Sequence, residues 1–130
     1  MATINKFEDL EIWQLARKIC KIIFEYTSRT PFYKDFSLRD QINRSSGSIM
    51  DNTSEGFERE GRKELIQYLS ISKASAGECR SQLYRAYDRK YITKEEFEEL
   101  HKLLIQESQK IRSFINYLKG SDYRGVKYKT

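Results

Sequence analysis

The chain has 130 residues, 38% of them hydrophobic and 33% charged, with one proline, six glycines and a net charge of +5. That length points to one domain able to bury about two-thirds of its unfolded surface, and the mix is too apolar for a disordered chain and too poor in turn residues for a many-stranded sandwich. No apolar run approaches the roughly 18 residues of a membrane span, and Met1-Ala2-Thr3-Ile4-Asn5-Lys6 lacks the apolar core of a signal peptide.

Taken in chain order, Pro31 and the glycines at 47, 56, 61, 77, 120 and 125 divide the sequence into four long helical segments. The first, about residues 10–28, carries two adjacent stripes at spacings of three and four: Trp13, Ala16, Cys20, Ile23, Thr27 and Ile12, Leu15, Ile19, Ile22, Tyr26. A face that wide implies more than one neighbour. Ser37 is the expected N-cap of the second helix, with Asp40 in its first turn. Its seam, Leu38, Ile42, Ser45, Ile49, Asn52 and Gly56, turns small and polar midway, so a distortion is expected near Gly47.

The third helix, about residues 62–90, has the most regular seam: Leu65, Leu69, Ser72, Ala76, Cys79, Leu83 and Ala86. The short Tyr91-Ile92 link forces an antiparallel return, and Thr93-Lys94-Glu95-Glu96 reads as a capping box. The fourth helix runs through Phe97, Leu100, Leu104, Glu107, Ile111, Phe114 and Leu118, with Glu107 its one charged intruder. The expected fold is all-α: an up-down antiparallel four-helix bundle over residues 1–120, followed by a flexible, disordered basic C-terminal tail, 121–130.

Catalytic chemistry finds few materials. A di-metal bundle of the ferritin kind needs two Glu-x-x-His pairs, and His101 is the sole histidine. A helix-flank role fits it better than metal ligation. The Arg-x(4–6)-His pair used by some helical ribonucleases is missing upstream of it, and no phosphate-binding glycine pattern is present. Cys20 and Cys79 are widely separated and read as buried, reduced hydrophobes, without a zinc or disulfide pattern. The reading is therefore a non-enzyme with no cofactor and no metal, cytoplasmic and without a membrane partner. An acid–base pair of Glu55 and Glu78 is the only enzymatic alternative. Otherwise Asn52, Glu55 and Glu78 form a structural polar clamp between the second and third helices, or part of a ligand site.

Positive charge concentrates in residues 58–91 and 119–130, each with a surplus of +3, while the remaining segments stay near neutral. Clustered cations suit a polyanion, and a solvated helix surface would show the same composition. The candidate nucleic-acid contacts are Lys73, Arg80, Arg85 and Arg89 on the third helix and Arg17, Lys18 and Lys21 on the first. Tyr84, Tyr87 and Tyr91 are interleaved with the third-helix arginines and could stack on unpaired bases.

The pattern Phe7-x-x-Leu10-x-x-Trp13-x-x-Ala16, then Gln41-x-x-Arg44-Ser45-Ser46-x-Ser48-Ile49-x-x-Asn52-x-x-Glu55-Gly56, then Tyr68-Leu69-x-Ile71-x-x-Ala74-x-x-Gly77-Glu78, resembles a known family. These are the four-helix-bundle proteins encoded within intervening sequences of 23S ribosomal RNA genes, and the resemblance spans about residues 7–118. Thr53-Ser54 and Ser45-Ser46 stand where that family usually has Ile-Ala and Ala-Ala, which makes this second helix more polar. The resemblance implies a homo-oligomer, specifically a homopentameric ring, and no catalytic activity. It also implies a fold similar to the accessory proteins of diversity-generating retroelements, which bind a reverse transcriptase and nucleic acid through a positively charged barrel. The combined expectation is a homo-oligomer that binds RNA or DNA electrostatically, with a reverse transcriptase as a further partner. A protein-interaction scaffold is the rival.

Overall fold

The computed structural model describes residues 3–120 and 128–129. Helix α1 (Glu11–Thr27) follows a 3-10 turn at Phe7–Asp9, and a second such turn, Phe32–Lys34, leads into α2 (Phe36–Glu58). Helices α3 (Arg62–Asp88) and α4 (Lys94–Lys119) complete an up-down bundle. Each helix packs against two others: α1 and α3 both lie between α2 and α4, so α1 and α3 stand diagonally across the core. The double stripe of α1 serves those two neighbours. A two-residue antiparallel ladder pairs β1 (Thr3–Ile4) with β2 (Tyr128–Lys129). The expectation of a flexible tail falls, apart from that pair, outside the described residues.

The seams explain the assembly. Every apolar seam residue of α3 from Leu65 to Ala86 is buried, as are Ile12, Ala16, Ile19 and Ile23 of α1, Leu38, Ile42 and Ile49 of α2, and Leu100, Leu104, Ile111 and Leu118 of α4. Burial of each Leu or Ile side chain is worth about 1.5–3 kcal/mol, so this shared interior is the principal stabilising term. Thr93 caps α4: its hydroxyl accepts from Glu96 N–H while the Glu96 carboxylate accepts from Thr93 N–H.

Three local expectations change. The N-cap of α2 is Asp35, whose Oδ1 accepts the Leu38 N–H at 3.2 Å, because the preceding 3-10 turn starts the helix at Phe36. Ser37 already lies inside, its hydroxyl accepting from Gln41. Gly47 causes no distortion, since α2 is continuous. Its hydroxyls bond back to carbonyls three or four residues earlier, Ser45 to Ile42, Ser46 to Asn43 and Thr53 to Ile49, which satisfies them without unwinding the helix. Helix α3 stops at Asp88 because Lys90 takes a left-handed φ of 63°, with Lys90 N–H donating to Tyr87 O and Tyr91 N–H to Ala86 O.

Between α2 and α3 the small polar seam closes on itself. Ser45 donates to Gln82 Oε1 at 2.6 Å, Ser48 and Ser75 share a hydrogen bond at 2.8 Å, and Ser72 meets both Thr53 Oγ1 and the Ile49 carbonyl. These residues tie the two helices together in place of the expected trio. Asn52 instead donates to Ser48, within its own helix, and Glu55 accepts from Arg59 one turn on. Glu78 is exposed.

Candidate nucleic-acid interface

A helix turns about 100° per residue, so charges close in sequence need not share a face. Arg85 and Arg89 lie on the side of α3 that meets α2. Arg85 donates to Gln41 Oε1 at 3.1 Å, and Arg89 to Asp35 Oδ2 at 2.7 Å. Tyr91 joins them, its hydroxyl donating to the same Asp35 oxygen at 2.8 Å and its ring stacking on Phe32. These bonds, Tyr91's foremost, hold the Asp35 carboxyl below its ordinary pKa. Arg89 and Tyr91 therefore fasten the α3–α4 connection to the start of α2, and their polar groups are already engaged.

Lys73 and Arg80 point the other way. Positions 62, 66, 69, 73, 76, 80, 84 and 87 follow at spacings of three and four and form one face. That face meets α4, as Tyr84 packing on Phe97 and His101, and Tyr87 on Phe97, shows. The matching α4 positions are Lys94, Glu98, His101, Ile105, Ser108, Arg112, Asn116 and Lys119. By that periodicity the furrow between the two helices, the α3/α4 groove, carries Lys73, Arg80, Arg112 and Lys119 along its length, with Arg62 toward its end. Glu98 is the one acid among these enumerated positions, and it lies beside Lys94 at 3.8 Å. Lys73, Arg80 and Arg112 enter none of the ion pairs among the described residues. Arg112 was absent from the sequence candidates because its segment, residues 92–118, carries no surplus of positive charge. Only the α3/α4 pairing puts it beside Lys73 and Arg80.

The first-helix cations form a separate patch. Arg17, Lys18 and Lys21 are exposed beside Trp13, over which the Arg17 guanidinium sits at 5.9 Å. Since α1 is diagonal to α3, this patch and the α3/α4 groove lie on different sides of the subunit. The seven cations named from sequence thus divide three ways: Arg17, Lys18 and Lys21 on α1; Lys73 and Arg80 in the groove; Arg85 and Arg89 bound to α2.

Other candidate chemistry is sparse. His101 is half-buried against Phe97 and Tyr84, and burial, with Arg80 nearby, lowers its pKa. Both thiols are shifted toward the protonated form by burial, that of Cys79 to about 12. Asn52 and Glu78 share a polar groove of about 720 Å³ between α2 and α3 with Arg44 and Asp51, while Glu55 is turned to Arg59. Among the described residues no three His, Cys, Asp or Glu side chains are grouped to hold a metal ion. No described helix is long and apolar enough to cross a membrane.

Residues 8–113, from the turn before α1 into the last turns of α4, match the family model of the 23S rRNA-intervening sequence protein. The chain belongs to that family. A crystal structure of a protein of unknown function from the S23 ribosomal protein family of Bacteroides thetaiotaomicron superposes with a TM-score of 0.72. It is 24% identical, and the match covers 81% of this chain and 95% of that one, a likeness in fold. No curated protein matches the sequence.

Proposed function

We propose that this member of the 23S rRNA-intervening sequence protein family is a non-enzymatic, cytoplasmic homo-oligomer that binds nucleic acid electrostatically through its α3/α4 groove. What supports the reading is the α3/α4 contact marked by Tyr84 and Tyr87 on Phe97, which brings together the helix faces that carry Lys73, Arg80, Arg112 and Lys119. Cations in such a groove neutralise phosphates and release counterions, the main source of sequence-independent affinity. Several copies in one particle would multiply a weak single-subunit patch. Phe24, Phe36 and Tyr33 support assembly, being large side chains 68%, 59% and 49% exposed in the isolated subunit. RNA is the favoured ligand, alone or in an assembly with a reverse transcriptase, and a pentamer the favoured assembly, both following what the family resemblance of the sequence implies.

The test is affinity of nuclease-treated protein for a structured RNA and a duplex DNA across a salt series, with the particle sized by light scattering. The expected result is a steep fall of log affinity with log salt. Lys73→Gln/Arg80→Gln/Arg112→Gln should flatten that slope by about two to three without lowering thermal stability. Absence of binding at low salt would overturn the reading and leave a protein-interaction scaffold, and a monomer would overturn the oligomer.

A further inference from the structure

The cations of the α3/α4 groove end at a cluster of rings. Tyr84 is 48% exposed, yet its ring is held against Phe97 at 4.9 Å and 61°, and against His101 at 5.5 Å and 81°. Its hydroxyl lies 3.4 Å from His101 Nε2. Phe97 is itself stacked on Tyr87 at 4.9 Å and on His101 at 5.3 Å. An aromatic surface fixed by neighbours on two helices and open to solvent loses little conformational entropy when another ring settles on it. Of the three tyrosines interleaved with the arginines, Tyr91 is committed to Asp35 and Phe32, and Tyr87 is half-buried. Tyr84 alone of the three is presented outward.

Arg80 stands one turn from Tyr84 on the same face, and Lys73 follows two turns further. Ring to lysine spans about 16 Å along the axis, at about 1.5 Å per residue. A row of positive charge leading to an exposed ring is how proteins hold a single strand: cations track the backbone while unpaired bases stack, and stacking needs no particular base because every base has a π-face. A duplex keeps its bases stacked inside and offers such a ring nothing. Nearby acidic groups are Glu98, beside Lys94, and Asp88, a turn beyond Tyr84 toward the end of α3. Neither falls between Tyr84 and Lys73.

We propose that the α3/α4 groove selects single-stranded nucleic acid, with an unpaired base stacked on the Tyr84 ring and the adjoining phosphates on Arg80, Lys73 and Arg112. This rests on the nucleic-acid reading above and specifies the class of strand. Its test compares a pyrimidine oligonucleotide with the duplex of the same sequence, for the wild-type protein, Tyr84→Leu and Tyr84→Phe. Leucine keeps apolar contact with Phe97 and removes the π-face, whereas phenylalanine keeps the ring.

Tyr84→Leu should weaken the single strand by roughly tenfold and leave both duplex affinity and the salt slope unchanged. Tyr84→Phe should retain wild-type affinity, and thermal melting should show both variants folded. Equal loss on both strands, no loss on either, or wild-type preference for the duplex would overturn the selection while leaving electrostatic binding intact. No binding of any nucleic acid by the wild type would overturn both proposals.

Discussion

The α2/α3 and α1/α4 seams bury polar groups in opposite ways. Between α2 and α3, Ser45, Thr53 and Ser72 are almost wholly buried, and each has a partner across the seam or on the backbone. Small hydroxyls are cheap to satisfy, because each finds an acceptor within reach on its own backbone or on the facing helix. On α4, Glu107 is 0% exposed with no hydrogen-bond partner for either carboxylate oxygen. Its charged influences are Lys110 and Glu11, which bond each other at the rim at 2.6 Å. One seam gains specificity from satisfied polar contacts; the other carries an unsatisfied acid, whose burial is costly unless it stays protonated.

The largest effect that separates the two seams is expected at Glu107. Burial lifts its pKa from an ordinary 4.5 to about 8. Between those values the folded protein retains a proton that the unfolded chain releases. Stability is therefore whole below about pH 4.5 and is lost as pH rises to about 8. Glu107→Leu should raise stability by up to about 3 kcal/mol near pH 8, with a smaller gain near pH 5, read by denaturant unfolding at both values. A gain that does not vary with pH would mean the carboxyl is not the cause.

The α2/α3 seam should fail through crowding. A Cβ at Gly56 would lie 2.7 Å from Tyr68 Cβ and 3.1 Å from Leu65 Cδ1, both on α3. Gly56→Ala should cost about 2 kcal/mol even though alanine favours helix, because the close approach of the backbones leaves no room. Gly47 supplies the control on the same helix, since a Cβ there meets nothing within 4 Å. Gly47→Ala should stabilise by about 0.5–1 kcal/mol through helix propensity alone, seen as a rise in Tm. Opposite signs at the two glycines would confirm that packing, not composition, governs this helix.

Much of the bundle could be read directly. The four-and-three spacing from Leu65 to Ala86 gave α3, and Thr93-x-x-Glu96 gave the start of α4, because both signals are local. The α2 cap was misread because Asp35 lies beyond a 3-10 turn that nothing in Ser37-Leu38-Arg39-Asp40 announces. The Asn52, Glu55 and Glu78 clamp was misread for a different reason. Charged and amide side chains drew notice, while the interlock is made by serines and threonines whose partners sit 19 to 37 residues away.

The periodicity of the chain determines the angle of each side chain about its own helix axis. From that alone, Lys73 and Arg80 fall on one side of the α3 seam and Arg85 and Arg89 on the other. Which side meets α2 and which meets α4 depends on the direction in which the bundle turns, and short connections permit either hand. Tertiary packing made that choice. It turned Arg85 and Arg89 to Gln41 and to Asp35 at the start of α2, and set the face of α3 that carries Lys73, Arg80 and Tyr84 against α4.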